Sequence, residues 1–95
     1  MCMLAKKTVA ALPHLVEEWV AARSVFDALA VRNELRRRVP DEDIRYGDVF
    51  DEVWHLFRKG KFAGYIMRTK LVKTATGEDT TVEYVPTELF LIERA

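Results

Sequence analysis

The spacing of apolar residues changes once along this chain, at Gly60, and that change limits the possible folds more than any other feature. Ahead of Gly60, apolar side chains return every three or four residues; beyond it they alternate with polar ones. A repeat near 3.6 lays one stripe of a helix on a core, and a repeat of two does the same for one face of a strand. The chain therefore reads as helices followed by a β-hairpin, an α+β arrangement in 95 residues. That length suits one domain with one core, with residues 1–11 expected as a flexible or partly ordered N-terminus.

Three helices are expected before Gly60. Leu12, Leu15, Val16, Trp19 and Val20 recur at helical spacing after Pro13, a residue suited to a first helical turn, so helix 1 is placed at Pro13–Arg23. Ser24-Val25-Phe26 is long enough only for an extended stub. Asp27 then supplies an N-cap for helix 2, Ala28–Arg38, whose stripe is Ala28, Val31, Leu35 and Val39. Pro40 stops it, because a residue before proline avoids the α region. Helix 3 runs from Tyr46 toward Gly60. On it Tyr46, Val49, Phe50, Val53, Trp54, Leu56 and Phe57 fill an apolar arc of about 160°, and Val49, Val53 and Leu56 are its expected core residues.

Beyond Gly60, Tyr65–Val72 alternates as a half-buried strand, Thr76-Gly77-Glu78-Asp79 reads as a turn, and Thr80–Val85 returns as a second strand. The tail from Thr87 fits a short helix capped by Thr87 or a continuing strand, with a slight preference for the helix.

This order of elements resembles a winged helix-turn-helix domain of the generic bacterial, archaeal or phage regulator type, without a subfamily. Phe26-Asp27-Ala28-Leu29-Ala30-Val31 looks like the entry of its second helix. Val49, Val53 and Leu56, leading to Lys59-Gly60-Lys61-Phe62, resemble the third helix and its exit into the wing. Glu83-Tyr84-Val85-Pro86-Thr87-Glu88-Leu89 is similar to the segment after the wing in several bacterial regulator families, although Phe90 stands about where those families have glycine. The resemblance implies three helices, a two-stranded wing and a short C-terminal segment. It also implies a small DNA-binding transcriptional regulator, acting as a homodimer on two half-sites of double-stranded DNA. Helix 3 would then face the major groove with Arg45, Gly47, Asp48, Asp51 and His55, and the wing would offer Arg68, Lys70 and Lys73.

Charge argues against a simple DNA reader. Fifteen basic residues balance fifteen acidic ones, without the basic excess expected of indiscriminate nucleic-acid binding. Arg32, Arg36, Arg37 and Arg38, with Lys59 and Lys61, form either a phosphate-binding edge or a helix end that complements its dipole and pairs with nearby acids. The open face of helix 3 carries Asp48, Asp51 and Glu52, which phosphates repel. The alternative reading is a winged-helix interaction module without DNA binding, which docks a protein through Asp51 and Glu52 and the aromatic row Tyr46, Phe50 and Trp54. That row otherwise belongs to the core, to a dimer contact or to a base-stacking platform for nucleic acid or a ligand.

The remaining signals are exclusions. Cys2, His14 and His55 lack ligand spacing and a fourth partner, so no metal is expected. The chain has no glycine-rich phosphate loop and no nucleophile elbow, so neither an enzyme nor a cofactor is expected. A lone cysteine, the absence of a signal-peptide pattern and the absence of a long apolar run lead to the expectation of a cytoplasmic protein.

Overall fold

The computed structural model of the protein describes residues 4–94. Its elements are α1 (Lys6–Ala21), β1 (Phe26–Asp27), α2 (Ala28–Arg38), α3 (Tyr46–Arg58), β2 (Tyr65–Thr74), β3 (Gly77–Pro86) and α4 (Thr87–Arg94). The fold is α+β, with four helices and one antiparallel sheet in the order β1-β3-β2 among the described residues. The C-terminal segment is a helix. Cys2 lies outside the described residues.

Helix α1 begins at Lys6, so the expected start at Pro13 is corrected and Pro13 lies inside the helix. The helical stripe extends backward through Thr8, fully buried, to Leu4 at the edge of the core. Packing of that longer stripe outweighs the lost N–H of Pro13, which leaves the Val9 carbonyl without its helical partner. The expected C-terminal limit at Arg23 also moves, to Ala21. Ser24 N–H bonds the Trp19 carbonyl at 3.0 Å and Arg23 N–H that of Val20 at 3.1 Å, a Schellman closure. Arg23 holds the left-handed position at φ 55°, where glycine is usual.

Side-chain contacts account for that choice. The Arg23 guanidinium donates to the Ala63 and Gly64 carbonyls at 3.3 and 3.0 Å and pairs with Glu88. Its carbon lies 5.0 Å from the centre of the Tyr65 ring. One side chain thus fastens the end of α1 to the turn before β2 and to the start of α4.

The expected stub before α2 takes part in the sheet. Phe26 pairs with Tyr84 and Asp27 with Glu83, making β1 a third strand. The hairpin is longer than expected, because β2 continues to Thr74 and β3 starts at Gly77. The expected turn residues Gly77, Glu78 and Asp79 therefore pair with Thr74, Lys73 and Val72. Polar residues occupy a ladder there because the hairpin tip projects from the core and nothing asks it to be apolar.

The core joins Leu12, Leu15 and Val16 of α1, Ala28, Val31 and Leu35 of α2, and Val49 and Val53 of α3. Leu56 packs on that cluster but is only partly buried, less than expected. At the sheet end sits an aromatic group. The Phe26 ring centre lies 5.6 Å from Trp19, 5.5 Å from Phe62, 5.8 Å from Tyr65 and 5.5 Å from Tyr84. The Tyr84 hydroxyl is buried without a hydrogen-bond partner among the described residues, and its ionisation is pushed up to about 12, by burial first and by Tyr46 second.

Asp27 joins local and tertiary order. Its carboxylate accepts from Ala30 N–H at 2.8 Å, capping α2, and pairs with Lys70 of β2 at 2.5 Å. Asp27→Ala is expected to lower unfolding free energy by about 1 to 2 kcal/mol, with Asp27→Asn retaining most of it because the amide oxygen still caps. Urea denaturation of the three proteins checks this, and equal losses in both variants would place the contribution in the ion pair.

Candidate interaction groove

The starts of α2 and α3 face the outer part of the hairpin across an open groove of about 840 Å³. Leu29 follows β1 on one side, Tyr46, Gly47, Asp48, Phe50 and Asp51 come from α3, and Val72, Lys73, Asp79 and Val82 come from the hairpin. This placement follows from the fold. Asp27 is tied to Lys70, and the hydroxyls of Tyr46 and Thr81 share a hydrogen bond of 3.1 Å, so both helices are fastened to the hairpin at the groove's edge. Tyr46 and Phe50, 6.1 Å apart at their ring centres, are partly buried against the core and show their remaining surface to the groove.

Four carboxylates, of Asp27, Asp48, Asp51 and Asp79, line the groove against one ammonium, of Lys73. Asp27 is neutralised by Lys70. Among the described residues, Asp48, Asp51 and Asp79 have no cation within ion-pair distance. Asp48 stands in the first turn of α3, where a carboxylate complements the helix dipole. Asp51 is a turn further along and has no such local reason. A groove with this balance repels phosphate and favours a cationic guest.

The cations expected to contact DNA mostly have other partners. Arg37 and Arg38 both bond Glu34, at 2.6 and 2.8 Å, and Arg38 reaches Glu18 of α1 at 2.7 Å. Arg36 donates to the Ile44 carbonyl at 3.2 Å, fixing the segment between α2 and α3. Arg32 bonds the neighbouring Asn33 side chain at 3.1 Å. On the hairpin, Arg68 lies between Glu83, at 2.6 Å, and Glu93 of α4, while Lys70 takes Asp27. Arg45 is loosely held by Asp43 at 3.5 Å. Lys59, Lys73 and His55 are exposed, and only Lys73 lines the groove.

The expected site residues thus divide. Tyr46, Phe50 and Asp51 meet at the groove together with Gly47, Asp48 and Lys73; Glu52, Trp54, His55 and Arg45 are not part of its lining. Leu29, Val72, Asp79 and Val82 were missed in the sequence. Asp48 and Asp51 share a helix face by their spacing of three, which was the one local signal. Among the described residues, no group of three or more histidine, cysteine or acidic side chains converges for a metal, and no helix is long and apolar enough to cross a membrane. No family model, curated protein or solved structure matches the chain.

The Glu34 pair carries a pH signature. Hydrogen bonds from Arg37, then Arg38, hold its carboxyl down to about 2, below the ordinary 4.5. A carboxyl depressed by folding stabilises the native state above its unfolded value and loses that contribution as pH falls through the folded one. The urea midpoint is therefore expected to fall between about pH 4.5 and pH 2. Glu34→Gln should flatten that part of the profile, and an unchanged slope would show the pair to be unimportant.

Proposed function

We propose that this chain is a winged-helix module that docks a protein partner in the groove between α3 and the hairpin. Support for the fold reading lies in the element order and in a stub strand that pairs with the second hairpin strand. The functional reading rests on one observation: the groove-facing surface of α3 presents Asp48 and Asp51 beside the half-exposed rings of Tyr46 and Phe50. Carboxylates near a phosphate backbone lose Coulomb energy and must be desolvated, whereas an apolar surface rimmed by charge suits a protein contact. Two of the three hairpin cations that a DNA reader would use, Arg68 and Lys70, are already paired with acids.

A second reading is a homodimeric transcriptional regulator bound to double-stranded DNA. Exposed Arg45, Lys59, Lys61 and Lys73 favour it, having no partner closer than 3.5 Å among the described residues. Exposed ion pairs are worth little, so phosphates would displace acids from Arg37 cheaply. Leu91 and Ile92 of α4, 60% and 69% exposed, supply apolar surface for a second subunit.

Fluorescence anisotropy with a labelled mixed-sequence duplex separates the two. The wild-type chain is expected not to bind at low salt, and Asp48→Lys/Asp51→Lys is expected to gain salt-sensitive binding, because reversal removes the repulsion. Tight wild-type binding that weakens steeply with salt and is reduced by Arg45→Ala/Lys59→Ala would establish the regulator instead.

A further inference from the structure

The sheet leaves one edge uncovered beside this groove. Strand β3 runs for ten residues, yet β1 covers only Glu83 and Tyr84 on that side, so the edge from Gly77 to Val82 has no strand neighbour there among the described residues. A strand edge without a neighbour presents amide and carbonyl groups that pair readily with another extended chain. One of them is already satisfied by a side chain: Thr80 N–H donates to its neighbour Asp79 at 2.8 Å. Asp79 occupies the place of a strand carbonyl.

Resting on the protein-docking reading, we infer that the groove takes an extended, cationic peptide segment of a partner protein, which continues β1 along β3 as an added strand. Main-chain pairing to an edge supplies affinity, and side chains at alternate positions supply specificity. Here one set of alternate side chains would meet Leu29, Tyr46, Phe50 and Val82, an apolar floor. Lysines or arginines of the segment would meet Asp48 and Asp51, carboxylates with no cation at ion-pair distance among the described residues. A peptide carbonyl accepting from Thr80 N–H would release Asp79 to join them. Charge also decides against a second copy of this chain as the guest. Edge-to-edge pairing of two copies would bring both sets of carboxylates together with no added cation except Lys73.

The test is selection of a random peptide library on the full-length chain, followed by titration of the selected peptide with an isotope-labelled chain observed by NMR. Peptides are expected to converge on two or more basic residues flanking an apolar one, and to shift the amides of Thr80, Thr81 and Val82. Asp48→Lys/Asp51→Lys, checked for native circular dichroism, is expected to weaken binding at least about tenfold, the loss of a charge-assisted contact. Methylating alternate backbone nitrogens of the peptide should weaken it by a similar factor in one phase only, since the other phase points away from β3. A selected peptide that binds the groove but tolerates methylation in both phases overturns strand addition and leaves protein docking intact. A selection that converges on no peptide, or on one that binds away from the groove, overturns the inference. Duplex binding by the wild-type chain overturns the reading on which it rests.

Discussion

The position of Phe26 governs the rest of the structure. Its two-residue strand is too short to stabilise anything by backbone pairing alone, since an isolated pairing of that length is marginal even in a hairpin. Its ring, however, touches side chains from α1, from the turn after α3 and from both hairpin strands. Aromatic pairs at such separations contribute beyond the area they bury. The hydrophobic group around Phe26 thereby fixes where the sheet stands relative to the helices. The next residue, Asp27, inherits that position and uses it twice, at the α2 cap and at Lys70.

Fixing the sheet in this way also fixes the groove. With β1 ending at Asp27 and α2 turning away immediately, β3 extends past its neighbour, and the start of α3 faces the exposed stretch. Asp27 and the Tyr46–Thr81 hydrogen bond hold its two sides in place. The space between them is left by a strand that stops at Asp27 and a hairpin that continues past it.

Local pattern determined more of this fold than of its site. Helix α2 was legible to the residue, because a capping aspartate, a regular apolar stripe and a proline stop all act within a few residues of the backbone they control. Helix α1 was misjudged at both ends. At Pro13 a strong local rule was overridden by the burial of Leu4 and Thr8, and at Arg23 a left-handed residue other than glycine was made acceptable by partners some forty to sixty-five residues away. The hairpin was recognised, but its polar end carries no apolar alternation to mark where pairing stops. The site was still less accessible, because neutralisation of Arg68 and Lys70 depends on Glu83, Glu93 and Asp27, which sequence distance separates and the sheet reunites. Only the carboxylates of α3, three positions apart on one helix, declared themselves locally.

The uncovered edge of β3 also bears on how the protein behaves in concentrated solution. Open strand edges are the seams along which folded proteins join into larger aggregates, and natural sheets guard them with charge. Here the guard is carboxylate: Glu78 and Asp79 lie on the strand, and Asp48 and Asp51 across from it. Such protection weakens as salt screens those charges. Strongly saline storage therefore weakens the defence of the edge while the ladder beneath it is still intact. The salt around the protein thus bears on how well one strand's exposed flank is kept apart from other copies.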